Sequence, residues 1–194
     1  KKIAELKGVD AESIFLGNGS DEAIDLLIRA FCEPQEDKIL TFTPTYGMYR
    51  VSAEVNNVQV KELKLDKDFQ PDLSLVKSGF PKLIFLCSPN NPTGNTIKTE
   101  IVEEILKSSL GIVVIDEAYA DFSEEASWTT RLEEFPNLVV LQTFSKAFGL
   151  AGIRLGMAFA SKEIIEVINK IKPPYNINEL TQSYALKELE NTDV

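Results

Sequence analysis

Leu138-Val139-Val140-Leu141-Gln142-Thr143-Phe144-Ser145-Lys146-Ala147-Phe148-Gly149-Leu150-Ala151-Gly152-Ile153-Arg154 decides how the chain is read. Leu138 to Leu141 is a short apolar run that reads as a buried strand, and Arg154 to Ala160 reads as another. Lys146 lies between them, next to a hydroxyl residue and ahead of two glycines. An amine placed where a core strand ends costs free energy unless the site uses it. The use that fits is covalent: desolvation lowers the amine's pKa and prepares it to form a Schiff base with a carbonyl. A lone lysine of this kind is more often a solvated loop residue whose stem covers apolar surface. The rest of the chain is what separates the two.

Outward from this stretch the pattern alternates. Ile24, Leu27, Ile28 and Phe31 have helical spacing and lead to the β run Lys38 to Phe42. A helix from about Thr45 to Glu54 precedes a strand from Val58 to Leu63; a further strand is expected at Lys82 to Leu86. A helix with apolar Ile101, Ile105 and Leu106 leads to the strand Ile112 to Ile115. Pro173-Pro174 breaks a helix over 162–171, and Asn178 is an N-cap for another. Continuous apolar strands alternating with amphipathic helices predict an α/β fold, a mostly parallel sheet covered by helices on both faces.

The chain has 194 residues, enough for one domain with a sizeable core. Thirty acidic against twenty basic side chains give a net charge of −10, which argues against nucleic acid as a partner. No apolar run is long enough to cross a bilayer, so no membrane partner is expected. Cys32 and Cys87 lie far apart in apolar settings and read as reduced core residues of a cytoplasmic protein. Histidine is absent, which excludes Ser-His and Cys-His nucleophiles and histidine-ligated metals; no metal site is expected.

Three more segments carry chemistry. Cys87-Ser88-Pro89-Asn90-Asn91-Pro92-Thr93-Gly94 follows an apolar run, as does Asp116-Glu117-Ala118-Tyr119, while Gly17-Asn18-Gly19-Ser20-Asp21-Glu22 opens a helical pattern. Taken singly these are a plain turn, a capping aspartate and a Gly-rich helix start. In this order and spacing they resemble the fold-type I pyridoxal-phosphate aminotransferases. Ile24-Asp25-Leu26-Leu27 and Pro44-Thr45-Tyr46-Gly47-Met48-Tyr49 make the chain most similar to the branch acting on histidinol phosphate. The resemblance implies that the fold is the large pyridoxal-phosphate-binding domain, and that Lys146, Asp116 and Tyr119 are catalytic. Asp116 would keep the pyridine nitrogen protonated, and Tyr119 and Asn91 would donate to the ring's 3′-oxygen. Gly19, Ser20 and Asp21 at the helix start, with Ser145 and Arg154, would hold the phosphate. Gly149 and Gly152 would let the backbone turn so that Arg154 returns to the pocket. Tyr46 would stack on the ring, while Tyr49 reads as core. Asn91 and Tyr175 would face substrate, Tyr175 having packing or interface as its alternative.

The resemblance further implies small amine and 2-oxo acid substrates and a homodimer. The domain organisation expected is a cofactor domain over 1–172, with 173–194 starting the connection toward a small domain. Substrate-binding and phosphate-binding groups of such enzymes are expected outside these 194 residues, so the chain alone is expected not to turn over. Alternatives are another fold-type I enzyme, such as an aromatic aminotransferase or a phospho-amino-acid decarboxylase. More distant is the ligand-sensing domain of a transcription regulator.

Overall fold

Seven strands form one sheet in the order β1-β7-β6-β5-β4-β2-β3. They are β1 (Ile14–Asn18), β2 (Lys38–Thr43), β3 (Gln59–Lys64), β4 (Leu83–Cys87), β5 (Ile112–Asp116), β6 (Leu138–Thr143) and β7 (Leu155–Ala160). The helices are α1 (Lys2–Lys7), α2 (Ser20–Phe31), α3 (Met48–Val55), α4 (Leu73–Val76), α5 (Thr99–Ser108), α6 (Lys162–Ile171) and α7 (Glu179–Asn191). The structure, a computed structural model, describes residues 1–76 and 81–191. Residues 192–194, which close the segment expected to connect to a further domain, lie outside them.

The strands read as continuous apolar runs because both of their faces are covered. Along β4, Leu83, Phe85 and Cys87 pack with α2, α3 and α6, while Ile84 and Leu86 point to the layer of α1, α4, α5 and α7. The same alternation holds in β6, where Val139 and Leu141 face one layer and Leu138 and Val140 the other. Helix α2 is the most deeply set, with Ile24, Leu26, Leu27 and Ile28 buried. Each such side chain contributes roughly 1.5–3 kcal/mol.

β2, β3, β4, β5 and β6 are parallel, and β7 runs against β6. A parallel return needs a crossover of about a dozen residues, usually helical. Residues 144–154 hold only a short 3-10 turn at Ala151–Ile153, so the chain doubles back. β1 pairs antiparallel with β7, and its carboxyl end therefore lies at the same edge as those of β2 and β4–β6. That edge is where open α/β sheets bind ligands.

Three boundaries differ from expectation. Ile14–Asn18 is an edge strand rather than the approach to a helix. α3 starts at Met48, not Thr45, because Thr45 Oγ1 donates to Asn90 Oδ1 (2.8 Å) and Asn90 Nδ2 donates to the Pro44 carbonyl (3.0 Å). Arg154 precedes β7 in a left-handed conformation (φ 53°).

Candidate active site

The carboxyl edge holds an open cleft. Gly19, Ser20, Asp21, Tyr46, Asn91, Asp116, Tyr119, Ser145, Lys146 and Arg154 all line it, together with Cys87, Ala118 and Thr143. Every residue expected to bind a cofactor is thus brought to one place from five segments of the sequence.

One end of the cleft is built for an anion. Gly19 takes φ +73°, and its N–H donates to the Arg154 carbonyl at 2.8 Å. A Cβ on Gly19 would lie 2.5 Å from Arg154 Nη2, so the guanidinium packs where a side chain would stand. The first amides of α2 lack intrahelical partners, and the helix start favours negative charge. Ser20 and Ser145 add hydroxyls; the Ser145 oxygen accepts from Thr143 Oγ1 at 3.0 Å. Asp21 meets Arg154 Nη2 at 3.5 Å and accepts from the Tyr46 hydroxyl at 3.0 Å. The turn expected of Gly149 and Gly152 is made instead by Gly149 (φ +64°) and by Arg154 itself.

The other end is built around Asp116, the last residue of β5 and 2% exposed. Tyr49 Oη donates to its Oδ2 at 2.6 Å, and the Ala118 N–H to its Oδ1 at 3.0 Å. Burial pushes the carboxyl pKa above its ordinary value, and Asp21 pushes the same way; those two donors and the Lys146 ammonium pull it back. Burial likewise pushes the Cys87 thiol up to about 12, which makes it a poor nucleophile despite its place on the wall.

Lys146 is exposed, so the desolvation invoked from the sequence is not its environment; its Nζ lies 5.2 Å from the centre of the Tyr119 ring. Asn90 is occupied in clamping Pro44, Thr45 and Thr93, which leaves Asn91 to line the cleft. Tyr175 is not brought to the cleft: it is 96% exposed, in a left-handed conformation (φ 56°) after Pro173-Pro174.

Two residues beside the site carry roles that the sequence did not reveal. Tyr49 is buried as expected, yet its hydroxyl belongs to Asp116. Tyr46 lies ahead of α3, so no helical spacing pairs the two tyrosines and nothing in the sequence announces the contact with Asp116. Glu117 is buried and accepts from Ser127 Oγ (2.5 Å), the Trp128 N–H (2.7 Å) and Gln142 Nε2 (2.8 Å). No sequence pattern announces these partners.

The donor set suits a ligand with an anionic group at one end, a protonated ring nitrogen at the other and a carbonyl within reach of an amine. Among the described residues no group of three or more His, Cys, Asp or Glu could hold a metal ion, and no helix is long and apolar enough to cross a membrane.

An open α/β sheet with an amine, a buried carboxylate and an anion cradle at one edge defines a class of enzymes for amine and carbonyl chemistry. The chain belongs to the aminotransferase class I and II family, which it matches over residues 1–194. It is 56% identical to a histidinol-phosphate aminotransferase from Christiangramia forsetii, over 100% of this chain and 56% of that protein. The chain thus spans little more than half the length of this curated relative. Among solved structures it is similar to the histidinol-phosphate aminotransferase from Clostridium acetobutylicum, with a TM-score of 0.88 and 28% identity, covering 99% of this chain and 58% of the other. A histidinol-phosphate aminotransferase from Sinorhizobium meliloti in complex with pyridoxal-5′-phosphate shares the fold, with a TM-score of 0.90 and 23% identity over 99% of this chain and 54% of that one.

Proposed function

We propose that this chain is the pyridoxal-phosphate-binding part of a transaminase that exchanges histidinol phosphate and 2-oxoglutarate for imidazole acetol phosphate and glutamate. The observation that carries this reading is one cleft in which Lys146, buried Asp116 and an anion cradle meet. The names of the relatives support the choice of substrate.

Pyridoxal phosphate, when bound, supplies a carbonyl that condenses with amines and a pyridine ring that draws electron density from the substrate's α-carbon. The α2 amides, Ser20, Ser145 and Arg154 hold its phosphate, and Arg154 adds the charge that Asp21 offsets. Asp116 holds the proton on the ring nitrogen. Tyr119 and Asn91 orient the ring through its hydroxyl oxygen, and Tyr46 covers a ring face. Lys146 Nζ would take the proton from the substrate's α-carbon and, on the far side of the intervening nitrogen, give it to the carbon derived from the cofactor's carbonyl, as a base tethered beside the reacting atoms. Residues 1–172 form the cofactor domain, and 173–194 begin the connection to the rest of a longer protein. The same reading takes that protein as a cytoplasmic homodimer; the buried free thiols of Cys32 and Cys87 are compatible with a reducing compartment.

Borohydride reduction after mixing with pyridoxal phosphate, followed by peptide mapping, tests the reading. Cofactor mass on Lys146 is expected, and its loss in Lys146→Ala. Labelling scattered over surface lysines, or none, refutes it. Histidinol phosphate is expected to protect Lys146 from reduction at lower concentration than aspartate does.

A further inference from the structure

The Tyr49 hydroxyl donates to Asp116 and lies against the Cys87 thiol, and both of those residues line the cleft. The ring is fully buried, stacked on Phe85 (4.7 Å between centres, 15° between planes) and edge-on to Tyr46 (5.6 Å, 81°). That packing fixes the direction of Oη, which donates to Asp116 Oδ2 at 2.6 Å. Burial and the neighbouring carboxylate push the phenol's own pKa well above its ordinary value, so the proton stays on Tyr49 and the bond keeps one polarity.

A carboxylate offers about four acceptor sites. Tyr49 and the Ala118 N–H fill one on each oxygen, and Asp116 still lines the cleft. Buried without donors, Asp116 would tend to hold its own proton and could no longer accept one from a cationic ring. We infer that Tyr49 is a positioning residue for the cofactor ring: its hydroxyl keeps Asp116 an ionised, oriented acceptor for a protonated pyridine nitrogen. The inference rests on the pyridoxal-phosphate reading and adds to it a residue that touches neither cofactor nor substrate. The other groups that face Asp116 do not replace it. Asp21, from α2, opposes ionisation; Lys146, from the β6–β7 connection, favours it, but from an exposed side chain; Cys87, at the end of β4, holds a neutral thiol.

Tyr49→Phe removes the hydroxyl and keeps the stacked ring. In the cofactor-free protein, carboxyl ¹³C NMR is expected to show Asp116 titrating at higher pH in Y49F than in the unchanged chain. Pyridoxal phosphate is expected to bind Y49F about tenfold more weakly, the scale of one hydrogen bond to a charged group. The 1-deaza analogue, with C–H in place of the ring nitrogen, is expected to bind both proteins alike. In an Asp116→Asn background, Y49F is expected to have no further effect on pyridoxal phosphate. Equal weakening for both ligands, an unmoved Asp116 titration, or a Y49F effect that persists beside D116N would overturn the inference and leave the cofactor reading standing. If the unchanged protein bound neither ligand, the cofactor reading would fall and this inference with it.

Discussion

Gly156 is where the sheet and the anion cradle touch, and replacing it with alanine gives a sharp test of how that cradle is built. In β7 it pairs with Gly17 of β1 and Thr143 of β6. A Cβ there would lie 2.2 Å from both Gly19 C and Ser20 N, and 2.7 Å from Gly19 O. These are backbone atoms, so no side-chain rotation relieves the clash. To reach 3.4 Å, where ordinary contact begins, the Gly19–Ser20 peptide must retreat by about 1.2 Å. A 2.9 Å hydrogen bond lengthened by that much is no longer one. Overpacking of this kind costs about 1–3 kcal/mol of stability. Each amide bond lost to a bound phosphate costs about 1.5–3 kcal/mol, roughly tenfold to a hundredfold in affinity. Calorimetric titration with pyridoxal phosphate, run beside urea unfolding, separates the two effects. Gly152→Ala is the control, since its Cβ would meet nothing within 4 Å. Wild-type affinity in G156A at full occupancy would refute the argument that β7 supports the cradle through a bare backbone.

Arg154→Ala is expected to weaken pyridoxal phosphate binding by tenfold or more, and Arg154→Lys by less, since lysine keeps the charge but not the fork; the same titration reads both. Glu117→Ala strands the buried Trp128 N–H, while Gln142 Nε2 keeps Ser127 Oγ (3.1 Å) and Ser127 Oγ keeps Thr129 Oγ1 (2.9 Å); with the cavity left behind it is expected to cost about 2–4 kcal/mol in urea unfolding. Glu117→Gln is expected to cost under about 1 kcal/mol, because the otherwise unpartnered Gln142 Oε1 can accept from the new amide. Burial holds the Glu117 pKa above its ordinary value, so the folded state keeps the proton longer than the unfolded state. Its contribution is therefore greatest at low pH and declines as pH rises from the ordinary glutamate value to the raised one. E117Q lacks that part of the decline, which unfolding at a series of pH values would show.

The strands and the site residues that end them were legible because burial on both faces writes itself as unbroken apolar runs. Asp116 after Ile112–Ile115 and Lys146 after Leu138–Leu141 are polar residues stationed where those runs stop. β1 was not legible: Ile14–Asn18 contains Gly17 and ends in Asn18, and as an edge strand it owes its form to pairing with β7, far off in sequence. The roles of Tyr49 and Glu117 were hidden for the same reason, because their partners come from other segments. Tyr175 failed through backbone geometry, since the stretch after Pro173-Pro174 points it outward. Lys146 was found by position, while the burial argued for it belongs to its neighbour Asp116.

The bond from the Gly19 amide to the Arg154 carbonyl has a consequence in time as well as in space. It joins the first strand of the sheet to the seventh, across most of the chain. During synthesis the pole around Asn91 and Asp116 can take shape once β4 and β5 have emerged and paired. The anion cradle must wait for β7, because among the described residues β1 pairs with no other strand. Contacts of such long range are the slow ones to form. The two halves of the cleft are thus born in sequence, and the grip on the anion is the signature of a finished sheet.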